Sequence, residues 1–171
     1  MIHRAAAALV LALALGMTTA CQPEPAPSPS GPVFANEEEA FAAAEETYRA
    51  YVDALNQRRA DPRSSPEPQS FLIGQALDVD IETRQQLDQA GLSLEGSTEV
   101  AAVSLVKAQT EDGLVQLEVC LDSTGTRVIS EAGDDVTPAD REAISLLTVD
   151  LLSATSGLMI EYSTTKTAGK C

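Results

Sequence analysis

The sequence contains few of the residues on which many enzymes and nucleic-acid-binding proteins depend. Its 171 residues include no tryptophan, one histidine and only 4% aromatic residues. The histidine is His3, in a segment that we expect to be removed, so mature protein would lack histidine-based catalytic triads and histidine metal sites. The sequence also has no glycine-rich phosphate loop and no cysteines at metal-ligand spacing. We therefore expect neither a cofactor nor a bound metal.

Basic residues are also scarce. The chain has 11 Lys and Arg against 26 Asp and Glu, a formal net charge of −15 at pH 7. Loss of Arg4 with the first 20 residues would leave ten basic residues and a net charge of −16. Such a surface repels nucleic acid and the anionic face of a bacterial membrane. We expect no nucleic-acid partner.

The first 20 residues have the order of an export signal. A short basic start, ending at Arg4, is followed by an apolar run over residues 5–15 and then by small residues. Eleven helical residues, at ~1.5 Å each, cover about half of a bilayer's hydrocarbon thickness, too little for a transmembrane helix. We predict a signal peptide over residues 1–20.

Cys21 follows this segment directly. Met17-Thr18-Thr19-Ala20-Cys21 resembles the lipobox of bacterial lipoproteins, in which small residues precede a lipid-modified cysteine. Thr19 and Ala20 fit the small positions, whereas Thr18 stands where an apolar residue is usual. The resemblance implies lipidation of Cys21 and anchoring to the outer face of the plasma membrane. The alternative is an ordinary secretory signal followed by an incidental cysteine.

Residues 21–35 are predicted to form a tether. Proline occupies every second position from Pro23 to Pro29 and recurs at Pro32, which prevents helix formation and favours an extended conformation. At ~3.1 Å per residue, residues 22–32 would reach about 34 Å. The tether would hold the domain at residues 36–171 away from the membrane.

The first half of the domain is predicted to be helical. Asn36 is suited to cap a helix with an apolar stripe at three- and four-residue spacing, and Glu39 is placed for a capping box. Residues 57–70 contain three prolines and are predicted to be a loop. After a short helical segment at 71–77, Asp80 is predicted to cap a helix at 81–90 that ends at Gly91.

From residue 92 onwards the apolar period changes to two. Strands are predicted at 98–108, where small residues suggest burial on both faces, and at 114–121, where apolar and polar residues alternate cleanly. Residues 126–130 are predicted to return as the next strand, followed by strands at 143–152 and 158–163. Helices followed by a meander predict an α+β fold with an antiparallel sheet of at least four strands.

This pattern resembles a known group of proteins. The helix carrying Glu45-Glu46-Thr47-Tyr48-Arg49-Ala50-Tyr51, the strand Glu118-Val119-Cys120-Leu121-Asp122 and the terminal Gly169-Lys170-Cys171 are similar to those of exported actinobacterial lipoproteins of the nuclear-transport-factor-2-like superfamily. The resemblance covers about residues 36–171. It implies a cone, in which a curved sheet wraps the long helix and leaves a pocket at the open end. Leu158-Met159-Ile160 occupies a region where the family commonly has a tryptophan, so we expect the pocket or the packing to differ there.

Cys120 and Cys171 remain if Cys21 is lipidated. An even number of remaining cysteines in an exported chain favours a disulfide. A redox-active thiol is the alternative, but it needs a basic or helix-terminal setting, and Cys120 lies near Glu118 and Asp122. We predict a structural disulfide.

Acid–base chemistry in a pocket would need only carboxylates and tyrosines. Core packing explains the tyrosines of the helical stripe, helix capping explains two aspartates, and a solvated strand face explains the other acids. The Asp134-Asp135 turn lacks the spacing of a calcium loop. No residue is assigned as catalytic. The candidates by residue type are Tyr48, Tyr51, Asp78, Asp80, Glu118, Asp150 and Tyr162, of which Tyr48, Tyr51, Glu118 and Tyr162 are the candidates for lining a pocket.

Three functions are compatible with the sequence. The first, which we favour, is a membrane-anchored domain that binds a small apolar molecule or another exported protein without catalysis. The second is a small-molecule isomerase or hydrolase-like enzyme that uses carboxylate and tyrosine chemistry in the cone pocket. The third is an accessory subunit of an exported complex, whose acidic surface meets a basic partner.

Overall fold

A computed structural model describes residues 33–167 and Cys171. The predicted signal peptide, Cys21 and the tether up to residue 32 lie outside the described residues. The predicted α+β class is confirmed, since two helices accompany antiparallel sheets of two and four strands. The elements in chain order are α1 (Glu37–Ala60), a 3-10 helix (Pro68–Phe71), α2 (Gly74–Ala90), β1 (Leu92–Gly96), β2 (Glu99–Gln109), β3 (Leu114–Asp122), β4 (Thr126–Ser130), β5 (Ile144–Ala154) and β6 (Gly157–Thr165).

Helix α1 begins at its predicted cap. The Asn36 side chain accepts a hydrogen bond from the Glu39 amide at 2.8 Å, and the Glu39 carboxylate accepts one from the Ala35 amide at 2.8 Å. These bonds satisfy two amides near the helix start, where no intrahelical acceptor exists. The helix continues to Ala60, so the prediction of a loop from residue 57 was wrong. The helix stops there because its C-cap, Asp61, is extended and precedes Pro62, whose ring disfavours helical geometry in the residue before it.

Helix α2 begins earlier than predicted. It starts at Gly74, which adopts a φ of +53°, and has no side-chain cap, so the prediction that Asp78 and Asp80 are capping residues was wrong. Both lie within the helix. The predicted end is confirmed, because Gly91 adopts the left-handed conformation with a φ of +64° and its amide bonds back to the carbonyl oxygens of Leu87 and Asp88.

The two sheets share one long, bent hairpin. Strand β2 pairs with β3, beginning with Glu99 opposite Asp122. Strand β1 pairs with β4, beginning with Gly96 opposite Thr126. The two pairings have nearly the same register, as if one hairpin continued through both sheets. Strands β1–β2 and β3–β4 are thus two long strands, each interrupted at a kink near Thr98. Strand β4 continues the path of β3, so the prediction that it returns alongside β3 was wrong. Strand β5 is the neighbour of β3, and the larger sheet has the order β2-β3-β5-β6.

The core lies between α1 and one face of the four-stranded sheet. Clean alternation in β3 is confirmed, because Val115, Leu117 and Val119 are fully buried. Strand β5 contributes buried residues to the same cluster, and α1 contributes one side of its helix. The core residues from the two neighbouring elements are Val149 and Leu151 of β5 and Ala40, Ala44, Tyr48 and Val52 of α1.

Strand β2 is not buried on both faces, which corrects the prediction made from its small residues. Its register shifts between Val100 and Ala102 and again between Leu105 and Lys107. Each shift alters which side chains face the core, and Val106 is 50% exposed. The small residues of β2 therefore lie in an edge strand with an irregular register and do not indicate burial on both faces.

The structure pairs Cys120 with Cys171, as the number of cysteines predicts. The two residues are 51 positions apart and their Cα atoms are 5.5 Å apart, within the usual range for a disulfide. The bond joins the end of the chain to β3 in the middle of the sheet. Among the described residues, no helix combines the length and apolar character needed to cross a membrane.

Candidate functional site

The structure divides the candidate residues between two regions. Tyr48, Tyr51 and Asp80 lie near one another where α1, the 3-10 helix and α2 meet, and we call this region the helical corner. Glu118 and Asp150 are on the sheet face opposite the core, since their neighbours Leu117 and Val149 are fully buried. The four candidates for a pocket therefore do not line one common cavity.

Aromatic packing fills the helical corner. The ring centroids of Tyr48 and Tyr51 are 6.0 Å apart, and Tyr51 contacts Phe71 edge-on at 6.4 Å. Tyr48 is only 2% exposed and belongs to the core, while Tyr51 is half-buried. The packing interpretation of these tyrosines is consistent with their positions on the buried side of α1.

Asp80 is held by neighbouring side chains. Gln69 donates a hydrogen bond to its carboxylate, and the Arg84 guanidinium forms an ion pair with the same oxygen at 3.1 Å. Arg58 donates in turn to the side-chain oxygen (Oε1) of Gln69 at 3.0 Å. Because the Asp80 side chain is only 13% exposed, these partners compensate for much of its lost hydration. Neither the sequence spacing nor the capping interpretation of Asp80 indicated that Gln69 would be its partner.

The tyrosine hydroxyls of the helical corner are better suited to donating hydrogen bonds than to transferring protons. Burial, assisted by the negative charge of Asp80, raises the pKa of Tyr51 to about 12, although Arg59 and Arg58 act in the opposite direction. Burial also raises the pKa of Tyr48. At neutral pH the Tyr51 hydroxyl therefore stays protonated and can donate a hydrogen bond. A general base would need a pKa near the working pH.

On the outer sheet face, the candidate acids also have partners. Glu118 forms an ion pair with Lys166, and Gln116 donates a hydrogen bond to Asp150 at 2.7 Å. Tyr162 lies opposite Asp150 in the register of β5 and β6. Cross-strand pairs of this kind stabilise a sheet, and they account for these residues without catalysis.

Polar side chains cluster at the hairpin kink, and nothing in the sequence indicated this cluster. The Asn56 side-chain amide donates to the Thr98 carbonyl at 2.8 Å and accepts from the Thr98 amide at 2.9 Å. Arg141 donates to the carbonyl oxygens of Ser123 at 3.0 Å and Thr126 at 2.9 Å. Both side chains thus satisfy backbone groups where the ladder is interrupted. We call this set of residues, together with Arg59, the kink cluster.

Hydroxyl groups join the two halves of the kink cluster. Arg59 donates to the Thr98 hydroxyl at 2.9 Å, and that hydroxyl lies 3.3 Å from the Thr126 hydroxyl and 3.4 Å from the Ser123 hydroxyl. Thr98 and Thr126 are each 5% exposed and are the buried polar residues of the described chain. The sequence placed Arg59 in the loop predicted at residues 57–70 and gave no sign of these contacts, because its partner Thr98 lies 39 residues away in the sequence.

Two shallow concavities of the described chain lie elsewhere. One, of about 220 Å³, is lined by residues of α2, β1 and β4 that include Asp88 and Glu131. The other, of about 470 Å³, lies on the exposed side of α1 and includes Glu45, Arg49 and Asp53. Both are shallow and lined partly by charged residues. Within residues 33–167 and Cys171, no group of three or more His, Cys, Asp or Glu residues is arranged to hold a metal ion.

Comparison with known proteins gives information on the fold alone. No protein-family model matches the chain, and no curated protein matches it. Among solved structures, the intermembrane-space region of the chloroplast protein ARC6 is similar, with a TM-score of 0.51 and 12% sequence identity. The match covers 75% of this chain and 97% of the ARC6 chain. At this identity, the likeness supports a shared arrangement of elements and no shared activity.

Proposed function

We propose that this chain is an exported lipoprotein, anchored through Cys21 to the outer face of the plasma membrane, whose domain binds another exported protein without catalysis. The proposal includes the nuclear-transport-factor-2-like arrangement that the sequence resembles. The observation that carries the non-catalytic part is that three candidate acids, Asp80, Glu118 and Asp150, each have a partner within the fold.

An acid–base enzyme is less well supported by the same geometry. Gln69 and Arg84 both bind the Asp80 carboxylate, and the raised pKa of Tyr51 keeps its hydroxyl protonated. The Tyr51 hydroxyl is thus not prepared to give up its proton near neutral pH, and the Asp80 carboxylate is already engaged by two partners within the fold. The shallow, partly charged concavities also favour a protein partner over a small apolar ligand, which would need a more enclosed apolar site.

The cysteine pairing supports the proposed anchor. A bond between Cys120 and Cys171 leaves Cys21 as the remaining cysteine of the chain. An unpaired cysteine at the end of an export signal is the expected substrate for lipidation. Without lipidation, Cys21 would be a free thiol at the start of the predicted proline-rich tether in an oxidising compartment.

The position of Val33 indicates how the domain would be oriented relative to the membrane. The Val33 and Phe34 amides both donate to the Thr110 carbonyl, at 2.8 and 3.1 Å, beside the β2–β3 turn. From there α1 runs for 24 residues, or roughly 36 Å. On this proposal the β2–β3 turn faces the membrane, and the far end of α1, with the kink cluster, faces the exported partner.

Fractionation of cells that express the full-length protein tests the anchor. We expect wild-type protein in the membrane fraction and Cys21→Ala protein in the soluble or secreted fraction. A variant with both Cys120→Ala and Cys171→Ala is the matched control, because it loses two cysteines but keeps the proposed lipidation site. Equal membrane retention of wild-type and Cys21→Ala protein would contradict the anchor.

Photo-crosslinking in intact cells tests the binding role. A photoreactive residue placed at Arg63, near the far end of α1, should give a discrete protein adduct, whereas one placed at Glu111, in the β2–β3 turn, should not. Both positions are exposed, so they form a matched pair. The adduct at position 63 should persist when Asp80 is changed to Asn. Adducts of equal yield at both positions, or at neither, would count against a partner-binding surface at the far end.

A further inference from the structure

Several arginines of this acidic chain have no acidic partner. Three of the seven arginines in residues 33–167 form ion pairs, namely Arg49, Arg84 and Arg127. The other four have no carboxylate within ion-pair distance among the described residues, although the chain has more than twice as many acidic as basic residues. These four are Arg58, Arg59, Arg63 and Arg141.

Two of these arginines belong to the kink cluster. Arg59 donates to the hydroxyl of Thr98 and, at 3.3 Å, to the side-chain oxygen of Asn56, while Arg141 donates to backbone carbonyls. All of these acceptors are neutral. Both arginines are half-buried, and burial lowers the pKa of the Arg59 guanidinium. Partly buried charges are normally paired with an opposite charge. The pKa of the Asp135 carboxyl is lowered by hydrogen bonds from Thr137 and, more weakly, by the charges of Arg127 and Arg141, but Asp135 is not within ion-pair distance of Arg141. Among the described residues, neither arginine of the kink cluster thus has a direct counter-ion.

Both arginines keep unused donors, and they are linked to each other through Thr98 and Ser123. A guanidinium carries five N–H donors, and the bonds above use one terminal nitrogen of each arginine. The Ser123 hydroxyl has only a 3.4 Å contact with Thr98, and Ser123 is half-buried. The neighbouring carboxylate of Asp122 accepts hydrogen bonds from the amide, at 2.8 Å, and the hydroxyl of Thr124. It therefore does not serve as the counter-ion.

We propose that Arg59, Ser123 and Arg141 form a binding site for an oxyanion, either phosphate or a carboxylate of a partner molecule. Two guanidiniums and a hydroxyl offer the charge and the donors that such a group requires. The backbone bonds of Arg141, and those of Asn56 to Thr98, hold the site in place before the anion arrives. The site lies at the far end of α1 and does not depend on whether Cys21 carries a lipid.

The experiment follows the seven arginine side chains by NMR. Purified mature protein, labelled with ¹⁵N on arginine and kept in a neutral detergent, is titrated with sodium phosphate while sodium chloride holds the ionic strength constant. The Nε–H signals of Arg59 and Arg141 should shift and saturate with one shared dissociation constant. Those of Arg49 and Arg127 serve as internal controls and should not shift. A parallel titration with acetyl-Glu-Glu-Glu-amide tests carboxylate as the source of the oxyanion.

A substitution separates binding from a purely structural role. Ser123→Ala removes the hydroxyl but keeps the backbone carbonyl that accepts from Arg141. We expect about tenfold weaker anion binding, as for one lost hydrogen bond to a charged group, and an unfolding midpoint close to that of wild-type protein. Ser93→Ala, at an exposed position of β1, is the control. The proposal is overturned if all seven signals drift together, if neither anion saturates the Arg59 and Arg141 signals, or if Ser123→Ala leaves the affinity unchanged.

Discussion

The side chain of Asn56 takes the place of a neighbouring strand for the backbone of Thr98. Its amide nitrogen donates to the Thr98 carbonyl at 2.8 Å, and its oxygen accepts from the Thr98 amide at 2.9 Å. Thr98 lies where the long hairpin bends and its ladder hydrogen bonds are interrupted. One residue of α1 thereby fixes the bend that separates the two-stranded sheet from the four-stranded sheet.

Removing the two hydrogen bonds between Asn56 and Thr98, which we call the clamp, should destabilise the fold. Asn56→Ala leaves the amide and the carbonyl of a residue that is 5% exposed without partners, and we expect a cost of about 2–4 kcal/mol in the free energy of unfolding. Urea denaturation measures it. Gln57→Ala, at the next and exposed position of α1, is the control and should change stability by less than about 0.5 kcal/mol. Equal effects of the two substitutions would contradict the clamp.

A pair of glycine substitutions tests how closely Gly96 approaches the Gly125 backbone at the kink. Gly96 has a φ of +84°, and a Cβ atom there would lie 1.9 Å from the Gly125 carbonyl oxygen. Gly133 has a similar φ of +87° but no atom within 4 Å of the same position. Gly133→Ala should therefore cost only the backbone strain, about 1–2 kcal/mol, whereas Gly96→Ala should cost several kcal/mol or prevent folding. Similar unfolding midpoints for both variants would show that the kink is more open than described.

Reduction of the disulfide should weaken the domain. The Cys120–Cys171 bond spans 51 residues, and closing a loop of that size stabilises a protein by about 4 kcal/mol in the chain-entropy model. Dithiothreitol should lower the urea midpoint of the wild-type protein toward that of the Cys120→Ala/Cys171→Ala variant. The variant itself should not respond to the reductant. A wild-type midpoint that is insensitive to complete reduction would contradict this contribution.

Stability should fall at high pH because of Tyr51. Its pKa rises from 10.0 to about 12 on folding, so the folded state binds this proton more tightly than the unfolded state does. The resulting stabilisation is fully present below pH 10 and is lost as the pH rises from 10 to 12. Urea midpoints measured between pH 9 and pH 12 should decline less steeply for Tyr51→Phe than for wild-type protein. Parallel declines would indicate that Tyr51 titrates normally.

Local sequence patterns predicted the parts of the fold that local interactions determine. Alternation in β3 identified the buried Val115, Leu117 and Val119, and the position of Gly91 identified the end of α2. These features depend on side-chain period and on backbone conformation within a few residues. The start of α2 was predicted too late because glycine usually interrupts a helix, whereas Gly74 begins one here.

Long-range contacts explain most of what the sequence did not reveal. Asn56 and Thr98 are 42 residues apart, and Arg141 reaches back to Ser123 across the segment that follows β4. Neither pair has a characteristic spacing, so the kink cluster could not be recognised as a candidate site. The same limit applies to β4, whose true partner, β1, precedes it by about 30 residues.

We propose that Cys21 carries a lipid that holds a binding domain at the membrane. Mass spectrometry of the protein isolated from membranes tests it most directly. We expect an N-terminal peptide that begins at Cys21 and carries the added mass of a diacylglyceryl group, together with a disulfide-linked peptide pair containing Cys120 and Cys171. A mature N-terminus at another residue, with Cys21 absent or present as a free thiol, would contradict it.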